Sequence, residues 1–535
     1  MKLVCFENLK NKKASSGVVN LLKQLRNKMK QITQQQESKE ENVHSDELIR
    51  LKQCNIFKEL VNNNEAIAKI YKLHKNRDIS IRNLTIGGSG VKACIVFLTP
   101  IVNAEIIERS IIEPLLTNID RNKEIEMLIV NQSIKKISTF KEVLLEVNKG
   151  NTVLFIDNCS IAFSMETAQV KARNIEKAET EVILKGPKEA FTENVDDNIS
   201  LIRKKFRTES LINESITVSK KNNDEVYILY LEDVVNEELL ENVKKSLQSF
   251  EVDVIQNIGI LEQYIEDREK SIFPTTLYTE KPDRAASFIQ DGYIVLLMHS
   301  SPACLVLPAT FWAFFHTPDE HYLRFLFGNF TRALRGMAIF IALFTSAIYI
   351  SITNYHAQMI PPDLLLAISS TRERVPFPAF IEILIMEIAF ELIREAGLRV
   401  PNPIGPTIGI VGALILGQAA VEANVISPLV IIVVALSGLS SFAVSDISFN
   451  FAIRIIRFIF IFAAGILGIY GMVVIFVMGL SYMVSIRSFG VPYLAPMTPR
   501  YKASQDTVFR KILQNERWRP GFLKPKDLEK KGDTT

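Results

Sequence analysis

The sequence contains few of the residues on which disulfide frameworks, metal sites and hydrolytic catalysis depend. Among its 535 residues are only five cysteines and six histidines. The cysteines are dispersed and form no Cys-x-x-Cys pair, so we expect reduced, structural thiols. No His-Glu-x-x-His run occurs, and the closest histidines, His316 and His321, would point about 140° apart on a helix. We therefore expect no enzyme activity, no metal and no cofactor.

An excess of charge of one sign is also missing. Lysine and arginine together number 62 and the acidic residues 59, for a net charge of +3, which does not predict a nucleic-acid partner. This average hides two unlike halves. Up to about Lys270 the chain is rich in Lys, Glu, Asn and Ile, whereas from Tyr293 to Ile486 it is mostly apolar. The N-terminus has no apolar core of signal-peptide length, so we expect the first half to be cytoplasmic.

The first half predicts two α/β subdomains preceded by a polar tail. Residues 1–44 are mostly polar, which is typical of a tail or tether. Residues 45–167 alternate amphipathic helices with short β-branched strands, such as those at 91–98 and 152–157, and this alternation indicates an α/β fold. The same pattern returns in residues 168–270, where we expect a second, smaller α/β subdomain.

The second half predicts an α-helical, polytopic membrane domain over residues 271–495. A helix needs about 20 apolar residues to cross a bilayer. Four segments are long and apolar enough: 336–354, 404–424, 425–445 and 454–485. The last exceeds one span and is rich in glycine, so it forms either one kinked helix or two shorter arms. A further segment, 293–315, contains a histidine and two prolines, and is a broken span, a re-entrant segment or an interfacial element.

Basic residues predict which ends of these helices face the cytoplasm. Three arginines precede the first span, and the C-terminal region 496–535 is basic and polar, so the positive-inside rule places both in the cytoplasm. Both chain ends on one side require an even number of crossings, most simply four. This arrangement puts Arg454 and Arg457 on the opposite side. The three flanking arginines are Arg324, Arg332 and Arg335.

The segment 380–397 predicts a helix with an acidic stripe. At 100° per residue, Glu387, Glu391 and Glu395 share one face, whereas Glu382 lies away from it. A charge inside a bilayer costs roughly 3 to more than 10 kcal/mol. The helix therefore either lies at the membrane surface with its charged face in water, or lines an aqueous vestibule or pore.

The predicted hairpin over 404–445 brings small and polar residues close together. Its glycines would let helices approach closely, within one chain or between chains. These glycines are Gly405, Gly409, Gly412 and Gly417. The polar residues beside them are either interfacial or part of an ion pathway, because an ionisable group inside a membrane is a functional candidate. They are Gln418, Glu422 and Asn424.

Six stretches, in consistent order along the chain, carry a recognisable pattern. They are KGPKEAFTENVDDNISLIRKK (185–205), FPTTLYTEKPD (273–283), MIPPDLL (359–365), RERVPFP (372–378), ELIREAGLRVP (391–401) and GALILGQAAVEANVISP (412–428). In these stretches the chain resembles the GerA family of spore germination proteins, the A subunit of nutrient germinant receptors. Lys281 stands where the family commonly has arginine, and the first 180 residues match only loosely.

The resemblance implies a multi-pass protein of the spore inner membrane that assembles with a transporter-like B subunit and a lipoprotein C subunit. It also implies a homo-oligomer, in contact with lipid, that forms the ion-conducting element. We therefore expect a nutrient-gated cation channel whose acidic side chains favour cations. The acidic candidates are Glu387, Glu391, Glu395 and Glu422. The alternatives are a membrane-anchored signalling or scaffold subunit, and the related sporulation protein associated with dipicolinate release. A secondary transporter would show inverted repeats, which the sequence lacks.

Overall fold

The computed structural model describes residues 47–117, 125–129, 131, 133–169, 181, 185–317, 319–399, 415–501 and 507–530. The predicted tail, 1–44, lies outside these ranges. The chain separates into two compact units, one formed by residues 1–169 with 207–209 and the other by residues 170–206 with 210–535. Each unit contains a five-stranded sheet, and the second also contains the long apolar helices.

The first unit is an antiparallel sheet with helices on both faces. Its strand order is β1-β2-β4-β5-β3. The strands are β1 Ile79–Thr85, β2 Lys92–Leu98, β3 Ile134–Ile137, β4 Thr152–Ile156 and β5 Ala162–Met165. Helices α1 (Leu60–Ile70) and α2 (Phe140–Lys149) pack on one face, and a helical segment over 104–117 packs on the other. Because both faces are covered, β2 and β4 are apolar along nearly their whole length. Shorter helices cover 47–53 and Ile125–Leu128.

The second unit contains another antiparallel sheet, with strand order β6-β7-β9-β10-β8. The strands are β6 Leu211–Thr217, β7 Glu225–Leu231, β8 Leu277–Thr279, β9 Ile294–Met298 and β10 Cys304–Leu307. The helices around it are α3 Val195–Lys205, α4 Glu237–Leu247, α5 Ile258–Ile265 and α6 Pro282–Gln290. Asparagine side chains cap three of these helices and so satisfy backbone N–H groups of the first turn. The two sheets confirm the predicted α/β character of the first half.

The structure decides the interpretation of residues 293–315 and moves one domain boundary. These residues form β9, β10 and the short helix Phe311–Phe315, so none of the three membrane interpretations is right. Both strands are buried along their whole length, and the protein core, rather than lipid, receives their apolar side chains. Because β8, β9 and β10 belong to the same sheet as β6 and β7, the boundary predicted at residue 270 is wrong. The second α/β region continues to Leu307.

Apolar helices follow this sheet. They are α7 Phe325–Tyr355, α8 Pro362–Arg372, α9 Ala379–Arg399, α10 Pro428–Ser441 and α11 Ile447–Ser485, with shorter helices at Asp319–Tyr322 and 415–422. Among the described residues, α7 and α11 are long and apolar enough to cross a membrane, with mean hydropathy of 1.9 and 2.6 in their most apolar stretches. Only 28% and 33% of those stretches is buried. Most of their apolar surface therefore faces outward and requires a non-aqueous neighbour.

Helix α11 reverses direction at Gly468, whose backbone angles (φ 60°, ψ −140°) are open to glycine and strained for other residues. Near the start of α11, Phe449 packs on Phe314, and near its end Tyr482 packs on Phe273, with ring centroids 5.9 and 6.3 Å apart. Phe314 and Phe273 both belong to the core around the second sheet. The two arms of α11 therefore run away from that sheet and back to it.

The end of α7 lies at this reversal. The hydroxyl of Tyr355 donates to the carbonyl oxygens of Gly465 and Ile466 at 2.6 and 2.9 Å. We call this end of the helices the distal end, and the end next to the second sheet the proximal end. The two arms of α11 are about 31 and 25 Å long at the α-helical rise per residue. Helix α7 and both arms therefore run between the same two ends.

The predicted spans correspond only in part to these helices. Residues 336–354 lie within α7, and 454–485 lies within α11, where it belongs to two arms rather than to one kinked crossing. Residues 425–445 contain α10, whose length of about 21 Å is short of a bilayer core of roughly 30 Å. Residues 404–414 lie outside the described part of the chain, and 415–422 is helical.

The C-terminal region returns to the second sheet. Strands β11 (Arg487–Ser488) and β12 (Val491–Pro492) form a small hairpin, and Leu523 is buried in the core around that sheet. The predicted basic tail, 496–535, is therefore in part a packed segment, over residues 507–530.

Candidate functional site: an ion-pair cluster between apolar helices

Helix α9 carries the acidic stripe that the sequence predicts, and it packs mainly against α10, with further contacts to α7 and α11. Glu387 is fully buried, and the side chain of Glu391 is 17% exposed. Because they are one turn apart on α9, their carboxylates lie on the same face of the helix. The burial of Glu387 excludes a helix that lies on a membrane surface with its whole charged face in water.

Arg457 joins the two carboxylates. Its Nη2 lies 2.5 Å from Oε1 of Glu391 and 3.1 Å from Oε2 of Glu387, and its side chain is only 2% exposed. Arg454, one turn earlier on α11, bonds the other carboxylate oxygen of Glu391. Arg394, one turn after Glu391 on α9, lies 3.8 Å from it. Three guanidinium groups thus surround two carboxylates, and we call this set the ion-pair cluster.

Serine hydroxyls bring two more helices into the ion-pair cluster. Ser346 of α7 donates to Oε1 of Glu387 at 2.7 Å. Arg457 donates to Oγ of Ser437 in α10 at 3.2 Å, and this hydroxyl donates in turn to the carbonyl of Ala342 in α7 at 3.1 Å. The cluster therefore joins α7, α9, α10 and the first arm of α11.

Burial makes these pairs sensitive to geometry. Taking a charge out of water costs several kcal/mol, and a partner offsets that cost only while the two groups stay in good geometry. Aromatic faces also contact the guanidinium groups: Arg394 lies 4.5 Å from the ring centroid of Phe442, and Arg454 lies 4.8 Å from that of Phe451. A small displacement between these helices would therefore leave buried charge uncompensated.

The ion-pair cluster lies between the proximal end and the middle of the first arm of α11. Arg454 and Arg457 are about 10 and 15 Å from the start of α11 at the α-helical rise. That start is at the same end as the second sheet and the C-terminal hairpin. The four-crossing arrangement, which put both arginines on the side opposite the C-terminal region, is therefore wrong, because both lie within the first arm and away from its distal end. It counted 454–485 as one crossing, whereas α11 runs out and back.

The other predicted pathway residues lie on exposed surface. Glu395 is exposed near the end of α9. Gln418 donates from Nε2 to Oε1 of Glu422 at 3.2 Å, and both side chains are exposed. Asn424 is exposed and has a left-handed backbone, with φ of 52°. The two buried glutamates thus bind arginines, while Gln418 and Glu422 bind each other.

One of the four predicted packing glycines is described, and it makes a contact within the chain. A Cβ at Gly417 would lie 3.6 Å from Cγ2 of Ile431 in α10, so the 415–422 helix and α10 approach closely there. The other three, Gly405, Gly409 and Gly412, lie outside the described residues.

Glu382 is buried at the distal end and has partners of its own. Its Oε2 accepts a hydrogen bond from the backbone N–H of Ser427 at 2.9 Å. It therefore caps the N-terminus of α10, where the helix dipole favours a negative charge. Arg372 Nε lies 3.5 Å from the other oxygen, Oε1. These separate partners agree with the prediction that Glu382 lies away from the acidic face.

A second group of buried charges lies at the proximal end. Glu320 pairs with Arg332 and Arg335 of α7, and the side chains of Glu320 and Arg332 are 1% and 0% exposed. Burial alone would raise the pKa of Glu320, but the charges of Arg332 and Arg335 outweigh it and hold that pKa below its usual value. Arg510 of the C-terminal segment bonds the Glu320 carbonyl. Of the three predicted flanking arginines, Arg324 is exposed and the other two serve as internal partners of a carboxylate.

Sequence reasoning identified the acidic residues of the cluster and missed their partners. Arg454 and Arg457 are three residues apart in an apolar run, a spacing that puts them on one helix face. Glu387 and Glu391, four apart, form the matching doublet on α9. Two doublets of opposite charge in apolar segments are a usable signal of ion pairing, because neither is inexpensive to bury alone.

The fold and the site define a membrane-associated protein, in which α/β units precede apolar helices that bury ion pairs. The chain belongs to the Bacillus/Clostridium GerA spore germination protein family, whose model matches residues 65–522. It is 34% identical over 463 residues to spore germination protein KA of Bacillus subtilis (strain 168), covering 85% of each chain. Spore germination protein A1 of the same organism is 34% identical over 492 residues, 90% of this chain and 98% of the relative.

A relative from another species and one solved structure complete this picture. Spore germination protein GerLA of Bacillus cereus is 32% identical over 463 residues, 85% of this chain and 94% of the relative. The crystal structure of the N-terminal domain of the A subunit of the Bacillus megaterium spore germinant receptor GerK3 covers 48% of this chain and 98% of that chain, at 23% identity and a TM-score of 0.38. That score is too low to carry a structural argument. The family match confirms the resemblance seen in the sequence motifs.

Proposed function

We propose that this protein is the A subunit of a spore germinant receptor and that several copies of it form a nutrient-gated cation channel. In this proposal the chain assembles with a transporter-like B subunit and a lipoprotein C subunit in the spore inner membrane. Nutrient bound to the B subunit shifts a closed-to-open equilibrium of the A subunits, and cations leave the spore core. Membership of the GerA family over residues 65–522 supports the receptor part of this proposal.

The observation that carries the channel part is the ion-pair cluster. It holds four helices together through buried charges that neutralise one another. Separating these helices costs several kcal/mol unless the charges find new partners, so intermediate arrangements are unfavourable. A channel gate requires a structural element that has two discrete arrangements. A ligand shifts the equilibrium between them only if it binds one arrangement more tightly than the other.

Exposed carboxylates supply candidate contacts for cations. Glu387 and Glu391 bind arginines in the single chain, so in this proposal they hold the helices together rather than coordinate passing ions. Glu395 and Glu422 are exposed, and a closed ring of copies would arrange each of them as a ring of carboxylates, which favours cations. The outward apolar faces of α7 and α11 offer surface for lipid and for neighbouring copies.

The second sheet and the C-terminal region lie on the cytoplasmic side in this proposal. The C-terminal segment packs into the core around that sheet, so the two share one end of the helices. The basic composition of 496–535 favours the cytoplasmic side of a membrane. The proximal end is then the cytoplasmic end, and the distal end at Gly468 is the opposite one.

Ion flux through the purified receptor tests this function. The chain is reconstituted in liposomes, alone and with its B and C partners, and release of K⁺ and Na⁺ is recorded before and after nutrient is added. We expect nutrient-dependent flux only when the partners are present. Glu395→Gln and Glu422→Gln should each lower cation flux several-fold while the complex stays intact. Glu241→Gln, which changes an exposed carboxylate of α4, is the matched control and should conduct like the wild type.

Three outcomes would contradict parts of this proposal. An intact complex that passes no cations under any condition would overturn the channel and favour a membrane-anchored signalling or scaffold subunit. Normal flux in both Glu→Gln variants would overturn the role assigned to the exposed carboxylates. Selective passage of dipicolinate would instead favour the related sporulation protein.

A further inference from the structure

Residues 507–513 of the C-terminal segment lie along the start of α7 and are held there by polar contacts. The backbone N–H of Arg510 donates to Oδ1 of Asn329 at 2.7 Å, and Nδ2 of Asn329 donates to the Arg510 carbonyl at 3.1 Å. The side chain of Arg510 is buried and donates to the carbonyls of Glu320 and Leu323. These contacts fix which side of the segment faces the protein.

The apolar side chains of this segment are exposed although its backbone is fastened to α7. Phe509, Ile512 and Leu513 are 58%, 49% and 50% exposed, and Val508 is exposed as well. Arg510, which lies among them in the sequence, is 5% exposed. Apolar groups gain free energy when they leave water. Four exposed apolar side chains around one inward-facing arginine therefore indicate a surface with a non-aqueous neighbour.

An exposed apolar stripe on α7 begins beside this segment and continues into the most apolar part of the helix. Its residues fall within an arc of about 80° at the α-helical period. They are Phe327, Phe330, Leu334 and Met337, and all four are exposed. The arginines of this part of α7 face away from the stripe and pair with a buried carboxylate. The exposed side chains of the segment therefore extend a surface that α7 already presents to lipid.

The length of α7 places this surface at the level of the lipid headgroups. Its 31 residues are about 46 Å long at the α-helical rise, whereas a bilayer is about 30 Å thick across its hydrocarbon core and about 40–45 Å with its headgroups. The apolar run 336–354 is about 28 Å long and fills the core. Residues 325–335 therefore extend beyond the core at the proximal end, and residues 507–513 are bonded to them at Asn329.

The exposed charges of this surface are basic. Arg324, at the start of α7, and Lys511 are exposed. The one acidic residue within 320–330 and 507–513 is Glu320, which is buried. Basic side chains beside exposed aromatic and aliphatic ones are typical of surfaces that bind anionic lipid. Each lysine or arginine near such a membrane strengthens binding about fivefold, which corresponds to ~1 kcal/mol.

We propose that residues 507–513 and the start of α7 together form a surface that binds anionic phospholipid. Phe509 and Ile512 lie at the boundary between headgroups and acyl chains, and the basic side chains contact lipid phosphates. The headgroup depth and the continuity with the apolar stripe of α7 favour lipid over a neighbouring protein chain. Because Arg510 bonds the Glu320 carbonyl, bound lipid holds the segment against the start of α7. This proposal requires that α7 crosses a membrane, and it is independent of the receptor and channel functions.

Photocrosslinking of the unaltered chain locates its lipid contacts. The full chain is placed in nanodiscs of equal parts phosphatidylglycerol and phosphatidylcholine, and a small fraction of one lipid or the other carries a diazirine on the first carbons of an acyl chain. Adducts are located by mass spectrometry after irradiation. We expect adducts on 508–513 and 326–330, several-fold more of them with phosphatidylglycerol. Met337 is the internal positive control, and Val254, an exposed apolar residue in the loop before α5, should remain unlabelled.

Removal of one basic group tests the preference for anionic lipid. Arg324→Gln should lower the ratio of phosphatidylglycerol adducts to phosphatidylcholine adducts on 508–513 by up to about fivefold. Arg374→Gln, at an exposed arginine that follows α8, is the matched control and should leave this ratio unchanged. Circular dichroism verifies that both variants are folded.

Each result has a defined meaning. Adducts at Met337 without adducts on 508–513 overturn the proposal without reference to any variant. Absence of adducts from Met337 as well overturns the premise that α7 crosses a membrane, and the proposal with it. Equal yields from the two lipids, or the wild-type ratio in a folded Arg324→Gln, overturn the preference for anionic lipid.

The same experiment on the chain assembled with its B and C partners separates lipid from protein as the occupant. Adducts that persist on 508–513 support lipid. Their loss on assembly, with Met337 still labelled, assigns this surface to a neighbouring subunit and overturns the proposal.

Discussion

Removal of Arg457 is the most direct test of the ion-pair cluster. Arg457→Met keeps a long, flexible side chain but removes the guanidinium group that binds both Glu387 and Glu391. Arg454 still bonds Glu391 in this variant. The loss therefore falls mainly on Glu387, which is fully buried and, within the described part of the chain, keeps its hydrogen bond from Ser346 of α7. One buried carboxylate is left without its counter-charge.

The size of the effect follows from this burial. Breaking a buried ion pair by removing one partner destabilises a protein by about 3–5 kcal/mol. The hydrogen bond from Ser346 remains, and a bond to a charged group contributes about 1.5–3 kcal/mol, so we expect the lower end of that range for Arg457→Met. The double variant Glu387→Gln/Arg457→Met also removes the uncompensated charge. It should recover at least about 1 kcal/mol relative to Arg457→Met, because the two residues are in contact and their effects are not additive.

Unfolding in mixed micelles of nonionic detergent and dodecyl sulfate, followed by helical circular dichroism, measures these free energies of unfolding. Glu395→Gln, at an exposed site on the same helix, is the control and should stay within about 0.5 kcal/mol of the wild type. A loss below about 1 kcal/mol for Arg457→Met, the value of an exposed pair, would refute the reasoning. A double variant as unstable as Arg457→Met would refute it too.

Two further predictions concern other parts of the second unit. As the pH falls from about 6.5 to about 5, stability should fall by about 1.6 kcal/mol through His316, because the unfolded chain binds a proton at the usual pKa of 6.5 while burial keeps the folded-state pKa at about 3. His316→Gln should flatten this dependence in denaturant unfolding, and an unchanged slope would contradict it. Gly468→Ala should cost about 1–3 kcal/mol, because alanine is strained at φ 60° and its Cβ would lie 3.0 Å from Cγ of Tyr355. Gly479→Ala, whose Cβ would meet nothing within 4 Å, is its control, and equal melting temperatures would contradict the prediction.

Periodicity along the chain is enough to predict both α/β regions and the long apolar helices. The β-branched runs at 91–98 and 152–157 form β2 and β4, because local propensity and burial favour the same conformation there. Helices α7 and α11 follow from length and hydropathy, which are properties of a single segment. These features can be predicted without knowing which other segments of the chain they pack against.

Hydropathy gives the wrong prediction for residues 293–315. An apolar run indicates that a segment leaves water, and it does not indicate whether a protein core or lipid receives it. The pairing of β9 with β7 and β10 shows that the protein core receives this segment. The hydropathy of a segment contains no information about which strands it pairs with. The path of residues 454–485 also depends on tertiary contacts. Their glycines indicate a break in the helix, but the contacts of Phe449 and Tyr482 show that the chain returns to the second sheet.

The partners of the buried charges depend on tertiary packing alone. Glu387 and Arg457 are each costly to bury without a counter-charge, so the need for pairing is evident from their apolar surroundings in the sequence. The sequence does not show that these two residues pair with each other. Their pairing requires the first arm of α11 to lie alongside α9, and the reversal at Gly468 helps to set that position. Local pattern thus establishes which groups must be buried or neutralised. The packing of the helices determines which partner neutralises each buried group. No single segment of the sequence specifies its distance from a segment far away in the chain.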